Sequence, residues 1–401
     1  MIPSNKHFTD ENLQPQLASL RTSDEIRASL VRYFTHLKFN TAKTYLQWLR
    51  VWNNWYVANA PHNSTWPSVS FPIHEPALLE FIDSQDGKEK RDGKKIRASS
   101  INNCVHALNS ISKKALNYAP IISADVWFSL KTLANDEARR QVVTGQATPF
   151  MLKDLKALIA LHGHSTSVRQ IRDLCLIWLG FETLLRSAEI RRIKMGHLKM
   201  DDQASIFTLT VYRIKTDTST KLIYHLSPQL TTQLHRLMNM VGRDNISFPG
   251  DYLFQAVNAH DNGYMPYKWG LRSRGNNIDA LLKRHNMPYR AKNITVNYED
   301  GSRKIDLLAD DEGVLSKNTL LRAFESLWQS LNPDPSSTTE PCWTGHSVRV
   351  GGAIQLANAG FSTLKIAQMG NWTSDAMVSR YIRNIDAEDK AMTQFIRQAL
   401  D

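Results

Sequence analysis

Apolar side chains recur at helical spacing through most of the first 140 residues, and this periodicity restricts that part of the chain to a helical fold. Residues 22–37, TSDEIRASLVRYFTHL, begin with Thr22 and Glu25 at the spacing of a capping box. Residues 40–57, NTAKTYLQWLRVWNNWYV, carry an aromatic stripe that is more typical of a core than of a surface that stacks on bases. Three further segments with the same period follow. The sequence therefore predicts a helical domain over residues 1–140.

A stretch without periodicity, QVVTGQATPF, separates this domain from the rest of the chain. We predict a linker over residues 141–149 and a second domain over residues 150–401. Thr148 is the expected N-cap of the first helix in that domain, and Pro149 its first residue. Two helices are expected next, over residues 150–161 and 167–193.

Strand and hairpin patterns follow in the second domain. The runs SIFTLTVYRIK and KLIYHLS flank the turn residues TDTST and predict an antiparallel hairpin. A second hairpin signal, YEDGSRK, and a short helix around NNIDALLKRH fall within residues 257–312, which are otherwise polar and irregular. One more amphipathic helix, SKNTLLRAFESLWQSL, precedes a proline-rich loop. The second domain is therefore expected to be mixed, with many helices and a small antiparallel sheet.

The charge of the chain favours a polyanionic partner such as nucleic acid, although many basic proteins bind none. The net charge is +11, and residues 1–140 carry 18 Lys and Arg against 13 Asp and Glu, so both domains share the excess. Residues 87–97, GKEKRDGKKIR, form either a solvated loop or a contact with DNA phosphates. The candidate phosphate contacts are Lys43, Lys88, Lys90, Arg91, Lys94, Lys95 and Arg97.

Other features argue against secreted, membrane and metal-binding classes. Three widely spaced cysteines indicate free thiols in a reducing compartment. The start of the chain lacks the apolar core of a signal peptide, and the most apolar run, residues 174–185, contains Glu182 and is too short to cross a bilayer. The HGH sequence at 162–164 offers two metal ligands without an evident third. We expect a soluble, intracellular protein.

The segment TGHSVRVGGA, residues 344–353, places His346 three positions before Arg349, with two glycines behind. Side chains at this spacing share one face of a helix and could contact the same ligand. A His-x-x-Arg pair is expected about once by chance in a chain of this composition. The alternative is an ordinary helix start, with Thr344 as N-cap and glycines that permit close packing.

Five other residues could belong to the same site, and each has an ordinary structural interpretation as well. Arg186 follows a helix break and could form a local ion pair with Glu189. Lys215 ends the first strand of the hairpin and could be solvated. Trp372 could be a core residue, and Tyr381, nine positions later, a half-buried tyrosine.

The order of these residues resembles that of the tyrosine recombinases, the phage integrase family of DNA breaking and rejoining enzymes. LLRSAEIRRI, YRIKTDTSTK, GHSVRVGGA and GNWTSDAMVSRYIRN each resemble a family motif, and 23 residues separate Arg349 from Trp372. Asn371 stands where the resembled pattern has glycine. The likeness is strong over residues 165–230 and 340–395, faint over 1–145 and absent over 257–312.

The resemblance implies a mainly α fold, with a helical N-terminal DNA-binding domain and an α+β catalytic domain that contains a small antiparallel sheet. It implies that Tyr381 forms a covalent 3′-phosphotyrosine bond with DNA, and that Lys215 protonates the leaving 5′ oxygen. Glu189 would orient the cationic cluster. The donors that would stabilise the five-coordinate phosphate are Arg186, His346, Arg349 and Trp372.

The implied partner is double-stranded DNA with paired inverted-repeat recombination sites. The protein would be a monomer when free and a homotetramer on DNA. Its domains would close around the duplex as a clamp, and strands would be exchanged through a Holliday junction. A C-terminal helix over residues 386–401 would dock into a neighbouring protomer, the alternative being a helix packed on its own domain. No metal, ATP or other cofactor is implied, and the expected location is the prokaryotic cytoplasm, at the nucleoid.

Three alternatives remain at this point. A phage-type integrase or a chromosome-dimer resolvase would use the same chemistry with different accessory proteins. A non-catalytic DNA-binding protein would retain the fold alone. A metal-dependent nuclease would need carboxylates or histidines that the sequence does not bring together.

Overall fold

The computed structural model of the chain describes most of both predicted domains. The described residues are 8, 10–18, 20, 22–63, 65–89, 93, 95–140, 145–201, 203–215, 218–264, 293–296, 305–308, 314–334, 340–372 and 374–382. Packing divides the chain into two compact units, Met1–Thr144 and Gly145–Asp401. Each unit has its own hydrophobic core.

The described part of the N-terminal unit is mainly helical, which confirms the prediction from periodicity. Its α-helices are α1 Asp10–Leu17, α2 Asp24–His36, α3 Phe39–Asn59, α4 Glu75–Gln85, α5 Ala98–Ala115 and α6 Ala124–Arg139. The prediction of Thr22 as the cap of α2 is wrong by one residue. The N-cap is Ser23, whose backbone is still extended and whose hydroxyl accepts a hydrogen bond from the Ile26 N–H at 3.3 Å.

The aromatic stripe of α3 lies in the core, as the sequence predicts. Trp52 is fully buried, packs against Trp55 and Tyr56 on its own helix, and meets Phe81 of α4 edge to face with 5.4 Å between the ring centroids. Its indole N–H donates to the Ser70 carbonyl at 3.2 Å. A buried Trp N–H needs a hydrogen-bond partner, and that of Trp52 has one within the domain. The stripe is therefore part of the core and not a surface that stacks on bases.

The C-terminal unit begins with three helices whose bounds differ from the predicted ones. They are α7 Leu152–His162, α8 Val168–Thr183 and α9 Ser187–Ile190. The N-cap of α7 is Met151, whose N–H donates to the Asp154 carboxylate at 2.8 Å. The prediction of Thr148 as cap and Pro149 as first helical residue is wrong, because the Thr148 hydroxyl donates instead to the Pro341 carbonyl at 2.7 Å.

The prediction of one helix over residues 167–193 is also wrong. Leu184 adopts the left-handed conformation, with φ 53° and ψ 23°, and caps α8. An L-residue in this conformation cannot continue a right-handed helix, so α8 ends before Arg186 and a new helix, α9, begins after it.

A three-stranded antiparallel sheet follows, with the order β1-β2-β3. Its strands are β1 Leu198–Asp201, β2 Ile206–Lys215 and β3 Thr218–His225. The predicted hairpin is confirmed, but its turn is shorter than TDTST, because Thr218 already pairs with Lys215. β1 was not predicted, since its four residues are too few to show an alternating pattern.

A second hairpin joins β4 Asn293–Val296 to β5 Ile305–Leu308, on either side of the YEDGSRK signal. The predicted helix around NNIDALLKRH and the predicted C-terminal helix over residues 386–401 lie outside the described residues.

The remaining helices complete the described C-terminal unit. They are α10 Pro228–Val241, α11 Lys317–Leu331, α12 Ser347–Asn358, α13 Thr363–Gly370 and α14 Asp375–Ile382. A mainly helical unit with a small antiparallel sheet is thus the observed fold class. Among the described helices, none has the length and apolar character to cross a membrane.

Candidate active site

The TGHSVRVGGA segment forms the start of α12. The helix begins at Ser347, so His346 is its N-cap residue and Arg349 lies in its first turn. The prediction of Thr344 as N-cap is wrong, because the Thr344 N–H donates to the Ser347 hydroxyl at 2.9 Å one turn earlier.

The two glycines behind Arg349 permit close packing, as the ordinary interpretation of the segment expects. A Cβ at Gly351 would collide with the Phe150 carbonyl, and a Cβ at Gly352 with the Leu184 side chain. The first contact holds α12 against the segment before α7 and the second holds it against the end of α8, which brings Arg349 to the residues that follow the α8 break.

Arg349 is 2% exposed, and its guanidinium is held by main-chain carbonyls. Nη1 donates to the Leu184 carbonyl, and Nη2 donates to the Gly370 carbonyl at 2.9 Å. The guanidinium carbon lies 4.6 Å from the centroid of the Trp372 ring, which is a cation–π distance. Two of the five N–H donors are therefore used in fixing the orientation of the group.

Burial lowers the pKa of Arg349 to about 10, and the nearby positive charge of Arg186 acts in the same direction. The charge of Glu189 acts in the opposite direction. The guanidinium remains a cation at neutral pH, and its desolvation strengthens its interaction with any anion that enters.

Arg186 and Glu189 lie at the break between α8 and α9. The Glu189 carboxylate accepts the Arg186 main-chain N–H at 2.8 Å and contacts its guanidinium at 3.4 Å. The Arg186 side chain is 46% exposed, so it can reach an external ligand. Glu189 thus orients Arg186, as the ion-pair interpretation of the spacing expects.

His346 and Tyr381 form a hydrogen-bonded pair. His346 Nε2 lies 3.0 Å from the Tyr381 hydroxyl, and the ring centroids are 5.3 Å apart. Burial, with the charges of Arg349 and Arg186, lowers the pKa of His346, so the imidazole is neutral at pH 7. A neutral imidazole with Nε2 unprotonated accepts the phenol proton in this geometry.

Trp372 lies against both Arg349 and Tyr381. It is buried, and its ring centroid is 5.3 Å from that of Tyr381. Its indole Nε1 is also buried, without a hydrogen-bond partner among the described residues. A buried N–H donor without a partner is costly, which suggests that a ligand supplies the acceptor.

Lys215 ends β2, as predicted, and pairs with Thr218 across the hairpin; the structure describes its backbone position only. The other end of the hairpin is anchored to α8. The Glu182 carboxylate accepts the Ser227 N–H and, at 2.9 Å, the Ser227 hydroxyl. The charged residue inside the apolar run therefore fixes the base of the strand pair.

The candidate DNA contacts of the N-terminal unit are only partly described. Lys43 is exposed on α3, and Lys88 and Lys95 are exposed in the loop before α5. Arg97 forms an ion pair with Glu137 at 3.2 Å. Lys90, Arg91 and Lys94 lie outside the described residues.

Sequence reasoning missed several groups that the structure places at this cluster. They are the carbonyls of Leu184 and Gly370, the amide of Gln146, which donates to the Tyr381 carbonyl at 3.0 Å, and the phenol of Tyr224. Burial, together with the charge of Glu189, raises the pKa of Tyr224 to about 12. The helix break that the sequence indicates before Arg186 is a signal for the Leu184 carbonyl, and no sequence pattern pointed to the Gln146 amide or the Tyr224 phenol.

The sequence of this chain is similar to those of known DNA recombinases. Residues 278–388, which include His346, Arg349, Trp372 and Tyr381, match the profile of the phage integrase family. Over 394 residues, 98% of each chain, the sequence is 26% identical to the Cre recombinase of Escherichia phage P1.

Two solved structures of the Tn1549 transposon integrase share the fold. The complex with a circular intermediate DNA gives a TM-score of 0.53 at 13% identity, over 93% of this chain and 98% of that one. The complex with transposon right end DNA gives 0.52 at 12% identity, over 94% and 98%.

Proposed function

We propose that the chain, whose residues 278–388 match the phage integrase family, the tyrosine recombinases, is a site-specific recombinase that cuts and rejoins duplex DNA through a covalent 3′-phosphotyrosine intermediate. The observation that carries this function is the 3.0 Å contact between the Tyr381 hydroxyl and His346 Nε2, beside the buried Arg349. A phenol, a proton acceptor and a fixed cation are the groups that such a transfer requires.

In the proposed step, Tyr381 Oη attacks the scissile phosphorus and His346 Nε2, 3.0 Å away, takes the phenol proton. This role differs from that of phosphate donor, which the resemblance implies for His346. The bond from phosphorus to Oη forms while the bond from phosphorus to the 5′ oxygen breaks. Lys215 gives a proton to the departing 5′ oxygen. The phosphodiester energy is kept in the protein link, so rejoining by the reverse reaction needs no ATP.

The extra negative charge of the five-coordinate phosphate falls on its non-bridging oxygens. Arg349 and Arg186 present guanidinium donors to them, and the Trp372 indole N–H, which lacks a partner among the described residues, supplies another. Glu189 acts through Arg186, which it holds in place.

A nicked suicide substrate tests this function. Cleavage next to the nick releases a short strand, so the covalent species cannot rejoin and accumulates. We expect a covalent protein–DNA adduct with its DNA attached at Tyr381, formed at the same rate in EDTA. A protein that only binds DNA forms no adduct. A metal-dependent nuclease releases DNA with free ends, and EDTA abolishes its cleavage.

Lys215→Ala is expected to slow cleavage by a factor on the order of 10²–10⁴, the usual contribution of a general acid. A substrate with sulfur in place of the 5′-bridging oxygen should restore the rate, because a thiolate leaves without a proton. Lys221→Ala, at an exposed position on β3 of the same hairpin, is the matched control and should cleave both substrates normally. A sulfur substrate that fails to rescue Lys215→Ala would rule out the general-acid role.

We further propose that the active assembly on DNA is a homotetramer at paired inverted repeats. The resemblance to the tyrosine recombinases implies this assembly, and Cre recombinase is a similar protein. The N-terminal domain, with Lys43, Lys88 and Lys95 exposed, would contact DNA phosphates. Such a protein works on the nucleoid, in the prokaryotic cytoplasm.

Residues 386–401 are proposed to join neighbouring protomers. The sequence IDAEDKAMTQFIRQALD carries Phe395, Ile396 and Leu400 on one stripe, and each large apolar side chain contributes about 1.5–3 kcal/mol when buried. Deleting residues 386–401 should leave a folded protein that binds single half-sites but loses cooperative binding to paired ones, measured by gel shift. A truncated protein that unfolds, or that still pairs half-sites with full cooperativity, would contradict docking in trans.

An integrase or a chromosome-dimer resolvase is the second candidate, and the Tn1549 integrase has the same fold. Recombination of two sites by the purified protein alone favours the Cre-like function. A requirement for an added accessory protein favours the integrase or resolvase.

A further inference from the structure

Two helices of the catalytic unit end in a non-glycine residue with left-handed backbone. Leu184 caps α8 with φ 53° and ψ 23°, and Asn371 caps α13 with φ 52° and ψ 48°. This conformation is unfavourable for L-residues, and Asn tolerates it better than most because its short polar side chain can hydrogen-bond locally. Both of these left-handed helix ends lie beside the Arg349 side chain, which indicates that they share a function.

Both ends supply a carbonyl to Arg349. The Leu184 carbonyl accepts from Nη1, and the Gly370 carbonyl accepts from Nη2 at 2.9 Å. Carbonyls in the last turn of a helix have no partner within that helix and carry the negative end of its dipole. The two helix ends therefore hold the buried cation by partial charges.

Partial charges have a consequence that a carboxylate partner would not have. A carboxylate that paired with both terminal nitrogens would cancel most of the positive charge, whereas two carbonyl dipoles orient the guanidinium and leave its full charge for a phosphate. Asn371 also connects Gly370 directly to Trp372, whose ring lies 4.6 Å from the guanidinium carbon. A Cβ at position 370 would collide with that ring, so this turn has little freedom to rearrange.

We propose that the left-handed turn at Asn371 is a positioning element for the phosphate-binding arginine, acting through the Gly370 carbonyl and the Trp372 ring. The proposal rests on the proposed function, in which Arg349 stabilises the charge on the reacting phosphate. It assigns a role to Asn371, which stands where the resembled pattern has glycine. Asn371 is half-buried, so it can be changed with less damage to the core than Leu184, which is 2% exposed.

The test compares three variants in single-turnover cleavage of a nicked substrate by protein bound at saturation. Asn371→Gly keeps the left-handed turn and should cleave within about threefold of wild type. Asn371→Val places a β-branched residue where it is strongly disfavoured, and should cleave at least tenfold more slowly. Asn117→Val is the control, because Asn117 has φ 55° at an exposed position in the N-terminal unit; it should lose a similar amount of stability in urea and cleave normally.

A second substrate separates positioning from general damage. A methylphosphonate at the scissile position has no charge on its non-bridging atoms, so it does not need the arginine charge. The deficit of Asn371→Val relative to wild type should fall below threefold on this substrate. If Asn371→Val does not fold, Asn371→Ala, a milder change at the same φ, takes its place in both assays.

Two results would overturn the proposal. One is an Asn371→Val or Asn371→Ala protein that cleaves the ordinary substrate as fast as Asn117→Val. The other is a deficit of the same size on the charged and uncharged substrates. Failure of the proposed function is a different result, since wild-type protein would then form no adduct at Tyr381 on either substrate.

Discussion

Tyr381→Phe is expected to bind its DNA site with wild-type affinity and to form no covalent adduct on a nicked substrate. The change removes one oxygen atom and with it the proposed nucleophile, so cleavage should fall to the background of the assay. The hydrogen bond to His346 Nε2 at 3.0 Å is also lost, at a cost of about 1 kcal/mol in the free energy of unfolding. Denaturing gel electrophoresis measures the adduct, and a filter-binding titration measures affinity.

Two other tyrosines sharpen this experiment. Tyr212→Phe, on β2, removes a phenol that is 62% exposed and should cleave normally. Tyr224 lies in the electrostatic field of Arg349, and burial raises its pKa to about 12, so its phenol stays protonated at neutral pH. An adduct that persists in Tyr381→Phe, or that maps to Tyr224, would show that the nucleophile has been assigned to the wrong residue.

Arg349→Lys is expected to reduce the cleavage rate by a factor on the order of 10²–10³, while DNA affinity changes less than about threefold. Lysine keeps the positive charge but carries its donors on a single nitrogen, which cannot take the positions of both Nη1 and Nη2 against the two carbonyls and still face the phosphate. Affinity is spread over many phosphate contacts and depends little on one buried group. Single-turnover kinetics and binding titrations separate the two quantities.

The matched control is Arg243→Lys, in the same unit. Arg243 forms a half-exposed ion pair with Asp251 at 2.9 Å, and such pairs contribute little to stability. This variant should cleave and bind as wild type does. Normal cleavage by Arg349→Lys would show that charge alone is sufficient and that the fork is not needed.

Most of the fold could be predicted because its signals are local. Periodicity identified the helices of the N-terminal unit, and alternation identified β2 and β3 with Lys215 at the end of β2. The errors occur where a contact with a residue far along the chain determines the local structure. Thr148 does not cap α7 because its hydroxyl is bound to Pro341, 193 positions along the chain. No local pattern contains that contact.

The candidate site divides in the same way. The residue types and their order were visible in the sequence through the family resemblance, and their chemical roles remain predictions until the variants are measured. The ion pair of Arg186 with Glu189 was visible from their spacing, but the carbonyl partners of Arg349 were not, because every residue has a main-chain carbonyl. The left-handed turn at Leu184 supplies one of them, and although the sequence indicates a helix break before Arg186, it does not show which carbonyl the break exposes.

The segment that begins the C-terminal unit has a mechanical consequence. Gln146 is bonded to the Tyr381 carbonyl at 3.0 Å, and the Phe150 N–H to the Ser347 carbonyl at 3.1 Å. Any displacement of residues 146–150 would therefore act at two places, the end of α14, which carries Tyr381, and the start of α12, which carries Arg349. The same short segment thus links the positions of the proposed nucleophile and of the proposed phosphate-binding arginine.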